Sequence, residues 1–262
     1  MLSNLSLPDI KLYGPVVIHP FGVLAATAIA AGFYLGRRRA SRTGLDVEIC
    51  SEGMVWAIIV GLAFAHWASA VFYFPKEVIS DPLYLLKFWE GISSFGGFAG
   101  GFLGAFVYFR RKRQPWLKYA EAMLFGLVPA WVIGRLGCTL IFDHPGRPSG
   151  FFLAMADGQG VARHNLGFYE MLLAVVLTAV IYALKNRHVF TGFHLALVII
   201  IYAPVRFFLD RLRVADQTYW GLTPGQYFSA VGFVVTLAWL AHGFSIRRGE
   251  RVGCPGRRDA AE

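Results

Sequence analysis

Charge is what this sequence has little of. Asp, Glu, Lys and Arg make up 16% of its 262 residues, where a soluble domain usually carries about a quarter. The charges are also clustered, with long apolar stretches between the clusters. Hydrophobic residues reach 56% and mean hydropathy is +0.52, so repeated bilayer crossings fit better than one large soluble core. Cysteine is scarce too: Cys50, Cys138 and Cys254 show no CxxC spacing, which argues against a disulfide framework or a zinc site. There is no HExxH, no cluster of carboxylates spaced for a metal, no serine nucleophile elbow and no Walker lysine after a strand. These absences remove the zinc-protease, serine-hydrolase and P-loop readings. The formal charge of +9 comes with no groove-reading motif, so nucleic acid is not an expected partner; basic residues beside helix ends suit cytoplasmic loops and anionic lipid headgroups.

What is present is a series of apolar segments of spanning or near-spanning length. They lie at Val16–Gly36, Gly53–Phe74, Ile92–Phe109, Tyr119–Thr139, Gly167–Leu184, Thr191–Leu209 and Gly225–Phe244. The expected fold is therefore an all-α polytopic membrane protein of about seven transmembrane helices. The first segment does not read as a cleaved signal peptide, because its basic cluster follows the apolar run. Arg37, Arg38, Arg39 and Arg42 follow the first segment, Arg110, Arg111, Lys112, Arg113 and Lys118 the third, and Lys185 and Arg187 the fifth. Arg247, Arg248, Arg251, Arg257 and Arg258 form the tail, so alternate loops hold sixteen of the 25 Lys and Arg. The positive-inside rule then puts the N-terminus outside and the C-terminus in the cytoplasm. Residues 1–246 read as one membrane domain, with a small outer cap over about 139–166. Residues 247–262 read as a basic, disordered cytoplasmic tail.

The polar residues near the outer ends of the segments are the candidate chemistry. Arg135 stands between Gly134 and Gly137, Tyr169 and Glu170 begin the fifth segment, and Arg206 and Asp210 end the sixth with Arg211 and Arg213 beyond. Asp143, His144 and Arg147 lie in the outer loop. Ionisable groups inside a bilayer pair, line a wet cavity or serve function, and a planar guanidinium suits a phosphate. Two readings stay open: a phospholipid headgroup site, or an i,i+4 ion pair at a helix end with the other arginines snorkelling to water. The small-residue run around Gly96 and Gly97 fits close helix packing or close approach of a lipid. His66 reads either as a hydrogen-bonded core residue or as a base.

In order along the chain, these features resemble the prolipoprotein diacylglyceryl transferase family of bacterial inner membranes. Gly134-Arg135-Leu136-Gly137-Cys138 followed by Gly146-Arg147-Pro148 is similar to the family's Gly-Arg-Ile-Gly-Asn and Gly-Arg-Pro. His164 to Glu170 echoes a His-Pro-x-x-Leu-Tyr-Glu stretch, and Tyr202 to Asp210 echoes Tyr-Gly-x-x-Arg-Phe-x-x-Glu. Leu222-Thr223-Pro224-Gly225-Gln226 matches Leu-Thr-x-Gly-Gln, and Asp81-Pro82-Leu83 before Trp89 also fits. The resemblance implies transfer of the diacylglyceryl group of phosphatidylglycerol to the lipobox cysteine of prolipoprotein signal peptides, with membrane lipids as surroundings and no cofactor or metal. It implies Arg135 and Arg206 on the headgroup phosphate, with Asp143 and Asp210 orienting them. It also implies substrate contacts from Arg147, Arg213, Tyr169, Glu170, Tyr202, Gly96, Gly97, Gly134, Gly137 and Gly146. The sequence departs from the family at Cys138 and Ile141, where asparagines are expected, and at Phe21, where a tyrosine is. Phe95 stands in place of the His-Gly-Gly histidine. His66 and His144 are the candidates for a compensating base. The alternative implied by the lost histidine is a non-catalytic phospholipid- or lipoprotein-binding paralogue.

Overall fold

The computed structural model describes residues 10–13, 16–88, 90–187, 189–214 and 216–252. The chain opens with an antiparallel hairpin, β1 (Ile10–Tyr13) and β2 (Val16–Ile18), and continues into α1 (Pro20–Arg42), α2 (Val47–Tyr73) and the short α3 (Pro75–Ser80). A 3₁₀ turn at Pro82–Leu86 precedes α4 (Ser94–Arg111) and α5 (Trp116–Ile141). Three short strands follow, β3 (Pro145–Pro148), β4 (Met155–Ala156) and β5 (Ala162–Asn165), then α6 (Leu166–Ala183), α7 (Phe193–Asp210) and α8 (Pro224–Val252). Among the described residues seven helices have 18 or more residues, and six of those are long and apolar enough to cross a membrane. The seventh, α4, falls short because its 18 residues include Arg110 and Arg111 at the end and five glycines. The protein is an all-α polytopic membrane protein with a small β cap at one end.

Local chemistry explains where the helices differ from the expected spans. The first span was expected from Val16, but Val16–Ile18 is strand β2 and α1 starts at Pro20, whose fixed φ suits a first helical position. The second starts at Val47, six residues before the apolar run, because Asp46 caps the amides of Glu48 and Ile49 at 2.9 and 3.0 Å. Helix α8 continues to Val252. The rest of the expected tail, and Trp89, lie outside the described residues.

Backbone contact at glycine sets the helix crossings. Gly96, Gly100 and Gly104 form one stripe of α4 against α2. A Cβ at Gly96 would lie 2.5 Å from Ala68 Cβ, one at Gly104 would lie 2.8 Å from the Trp56 carbonyl, and one at Gly100 would overlap Phe64. Gly32 and Gly36 of α1 meet Gly126 of α5 in the same way. At the basic-loop end Phe109, Tyr119, Cys50 and Ala40 form one buried cluster, and Val128, Leu177 and Ile181 form another that runs along α5, α6 and α7 toward Trp131 and Tyr202. The outward faces stay apolar, as with Ile59 and Leu62 of α2 and Val231, Val234 and Val235 of α8, which suits a hydrocarbon solvent.

The opposite end carries the sheet, antiparallel in the order β3-β5-β4. Asp157 fixes its second turn by accepting from the Gln159 and Val161 amides, both at 2.9 Å, and from Arg163 Nε at 2.7 Å. Asn165 caps α6 and donates to the Thr139 carbonyl of α5 at 3.0 Å. Gly146 bridges Arg213, and the Arg147 amide donates to the Leu212 carbonyl at 2.8 Å. The sheet is thereby tied to three helix ends.

Gly100→Val is expected to lower thermal stability in detergent by roughly 1–3 kcal/mol through overpacking. Gly134→Ala, with nothing within 4 Å of the added methyl, leaves stability unchanged or slightly raised. Equal melting temperatures for Gly100→Val and the wild type contradict the seam. The Asp157 carboxyl is held below its ordinary range first by its bond to Arg163 and then by the Val161 amide. Its contribution is therefore complete above the unfolded carboxylate pKa and lost as pH falls through the folded one. The protection factor of the Val161 amide, the intrinsic exchange rate at a given pH divided by the observed one, should fall on acidification through that window in the wild type and be low throughout in Asp157→Asn.

Candidate functional site

At the sheet-bearing end, α5, α6 and α7 converge on one carboxylate. Glu170 is only 1% exposed. Its Oε2 lies 2.6 Å from Arg135 Nη2, and its Oε1 accepts from Arg206 Nη1. Arg206 Nη2 also reaches Asp210 Oδ1, one turn on, at 2.8 Å. Arg213 lies 3.7 Å from the same oxygen and 2.7 Å from Asp216. Three guanidiniums thus face Glu170, Asp210 and Asp216, and the six charges cancel. Glu170 Oε2 and Asp210 Oδ1 are at ion-pair distance yet accept no aligned hydrogen bond. Each guanidinium has five N–H donors, more than these contacts use, so donors remain for an anionic group.

The surrounding residues hold this arrangement in place. Thr223 caps α8 in a reciprocal box: the Gln226 amide donates to Thr223 Oγ1 at 3.1 Å, and the Thr223 amide to Gln226 Oε1 at 3.0 Å. The Thr223 hydroxyl then donates to Asp210 Oδ2 at 2.7 Å. Gly225 must be glycine, since a Cβ would lie 2.5 Å from that carboxylate oxygen. Tyr202, one turn before Arg206, packs against Trp131 at 4.6 Å and Phe98 at 6.3 Å. Arg135 also donates to Ser94 Oγ at 3.4 Å and contacts Cys138 Sγ at 4.0 Å.

The other expected residues divide. Asp143 lies 3.4 Å from His144 Nε2 and pairs with no arginine among the described residues. His144 Nδ1 faces Arg213 Nη2 at 3.3 Å, so it joins the cluster. Burial, with Arg213 and Arg135 adding to it against the pull of Asp143, holds His144 below the usual imidazole range. Tyr169 turns toward the sheet, its hydroxyl 2.8 Å from His164 Nδ1. The Arg147 side chain is exposed, and Gly146 lies against His164 and the Leu212 carbonyl. Gly137 faces Phe21 of α1, whereas Gly134 borders open space. Gly96 is spent on the α2 seam, and Gly97 sits more loosely, its nearest neighbour at 3.6 Å.

His66 is not in the cluster. Its ring nitrogens lie 2.6 Å from the Glu90 carbonyl and 3.1 Å from that of Tyr84, so it pins the 3₁₀ turn against α2. Phe95 sits in an aromatic nest with Phe72, Tyr73 and Phe228, 5.8 to 6.4 Å between ring centres. An open groove of about 650 Å³ on α1, lined by Ala26, Phe33 and Arg37 among others, shares no residue with the cluster.

Sequence reasoning missed Ser94, Asp216 and Cys138 as neighbours of the arginines, and it ranked Glu170 below them. The Thr-x-x-Gln spacing with proline between was a readable capping signal. Asp216 lies in an irregular loop, where no periodicity points at a partner.

Removing one partner from a buried ionic group costs about 3–5 kcal/mol. Glu170→Ala is therefore expected to melt far below the wild type in detergent. The charge-free pair Glu170→Leu with Arg135→Leu should recover part of the loss. A Glu170→Ala protein as stable as the wild type contradicts the hub.

Comparison with known proteins places the chain. Residues 9–242 match the family model for prolipoprotein diacylglyceryl transferase. The phosphatidylglycerol–prolipoprotein diacylglyceryl transferase of Chromohalobacter salexigens is 28% identical over 221 residues, covering 81% of this chain and 82% of the relative. That of Pseudoalteromonas atlantica is 28% identical over 247 residues, covering 88% of each, and that of Nitratidesulfovibrio vulgaris 27% over 238 residues, covering 87% of this chain and 89% of the relative. With nearly the whole membrane bundle inside the match, the chain belongs to the prolipoprotein diacylglyceryl transferase family.

Proposed function

We propose that this protein transfers the diacylglyceryl group of phosphatidylglycerol to the lipobox cysteine thiol of prolipoproteins. It does so at the outer face of the bacterial inner membrane, with its N-terminus periplasmic and its C-terminus cytoplasmic. The observation that carries the reading is the convergence of Arg135 and Arg206, from different helices, on buried Glu170. Two guanidiniums held side by side can grip two oxygens of one phosphate diester. The basic loops lie at the end away from the cluster, which supports a periplasmic placement of the arginines.

The chemistry is an alkylation of sulfur. The substrate thiolate attacks the glyceryl carbon that carries the phosphate ester, a C–S bond forms, and the C–O bond breaks. Glycerol phosphate leaves with the bonding pair, and its developing charge falls where Arg135 and Arg206 can stabilise it. Asp210, held by Thr223, keeps Arg206 aimed, and Arg213 completes that edge of the site. The thiol must lose its proton to be a competent nucleophile. Of the two histidines considered, His144 is beside the arginines and His66 is not.

Phe95 favours a second reading. With an apolar ring where relatives have a histidine, the chain would bind phosphatidylglycerol without turning it over.

In liposomes containing radiolabelled phosphatidylglycerol, a lipobox peptide should acquire label and a cysteine-to-serine peptide should not. Arg206→Gln is expected to lower transfer by about 10²–10³, the loss typical of one transition-state donor. Arg147→Ala, altering an exposed side chain, should cost far less. Retention of lipid by a folded protein that labels no peptide selects the binding-only reading.

A further inference from the structure

Cys138, Asp143 and His144 are the site's unexplained residues. Their sulfur, carboxylate oxygen and imidazole nitrogen all lie within 4.8 Å of one another. We propose that these three side chains hold a zinc ion whose fourth position takes the substrate cysteine as a thiolate. The role of the metal rests on the transferase reading; the site itself does not. It revises the expectation, drawn from cysteine spacing and from the family resemblance, that no metal is involved.

The end of α5 builds the three ligands into one corner. Phe142 adopts a left-handed conformation, φ 54°, and the Asp143 amide returns to the Cys138 carbonyl at 3.2 Å. This helix stop folds residues 143 and 144 back over the last turn, beside Cys138. Zinc takes sulfur, nitrogen and carboxylate oxygen at about 2.0–2.3 Å, which puts neighbouring donors of a tetrahedron roughly 3.4–3.6 Å apart. Asp143 Oδ2 and His144 Nε2 are already 3.4 Å apart. Cys138 forms the buried floor, His144 is half-buried and Asp143 stands exposed at the rim. Three ligands with one open side is the pattern of a catalytic rather than a structural zinc.

Charge points the same way. Arg135, Arg206 and Arg213 are matched by Glu170, Asp210 and Asp216, and Asp143 is the carboxylate left over. A doubly charged cation with one thiolate and one carboxylate ligand adds no net charge beside the arginines. Metal binding at His144 requires a change of tautomer and the loss of its contact with Arg213. With Arg213 donating to Nδ1, Nε2 carries the proton and faces Asp143, so the ring as it stands has no lone pair free for a thiol proton. Zinc on Nε2 displaces that proton and turns Nδ1–H away from Arg213, which retains Asp210 and Asp216.

The proposed metal supplies what Phe95 removed. A thiol that coordinates zinc is deprotonated, its proton leaving to water at the exposed rim. The bound sulfur then attacks the glyceryl carbon beside the phosphate held by Arg135 and Arg206. A C–S bond forms, the C–O bond breaks, and glycerol phosphate departs with the electron pair. No oxidant or reductant enters.

The test is metal content before activity. Full-length protein purified in detergent, loaded with zinc and dialysed, is analysed for metal alongside Cys138→Ser and His144→Ala, with melting curves to show that each variant is folded. The expected result is one zinc per chain in the wild type, falling to background in folded Cys138→Ser. Cobalt loading should give a thiolate-to-metal absorption that the same variant lacks. A wild type that retains no metal overturns the site. Loss of peptide labelling on chelation, restored by zinc, supports the thiolate role. Full labelling by metal-free protein overturns the inference while leaving the transferase reading intact. One bound zinc with no labelling by the loaded protein supports the site and removes the transferase reading.

Discussion

The contact between Glu170 and two arginines constrains everything near it. A carboxylate 1% exposed is tolerable only with cations in place, and those cations come from α5 and α7 while Glu170 comes from α6. The three helices must therefore meet at one depth and in one rotation. Desolvation offsets much of the Coulomb gain in such a group, so it adds less to stability than to register. Asp210 and the Thr223 cap extend the same constraint to α8.

The rest of the bundle is organised so that this polar end can exist. Buried apolar clusters fill the bundle from the basic-loop end, around Phe109 and Tyr119, to mid-span, around Val128 and Leu177. Glycine seams bring α2 to α4 and α1 to α5 at backbone distance, which suits a solvent that gives no hydrophobic drive to helix association. The small sheet closes the polar end, tied down by Asn165 to α5 and by Gly146 to the segment after α7. Sheet and cluster adjoin, since the turn that leads into β3 presents Asp143 and His144.

The helices were legible because apolar runs of spanning length have few other uses, and six of the expected spans reappear as helices apolar enough to cross a membrane. Their ends were less legible where a single residue decides them, as Asp46 and Pro20 do. Arg135, Arg206 and Asp210 could be picked out because charge near an apolar run is conspicuous. Glu170 was ranked too low because its importance lies in what two other helices bring to it. Asp143 was paired with arginine by analogy and instead faces His144. Cys138 read as a lost asparagine, and only the left-handed turn at Phe142 shows its neighbours. No period or spacing in the sequence encodes that turn.

Membership of the family accounts for the helical bundle. The central claim is that Arg135 and Arg206, fixed by Glu170, form a phosphatidylglycerol headgroup site. Native mass spectrometry of the protein released from mixed phosphatidylglycerol and phosphatidylethanolamine micelles tests it without requiring turnover. The account predicts one retained phosphatidylglycerol in preference to phosphatidylethanolamine, and loss of that preference in folded Arg135→Gln and Arg206→Gln. Equal retention of both lipids by the wild type, or an unchanged preference in both variants, would contradict it.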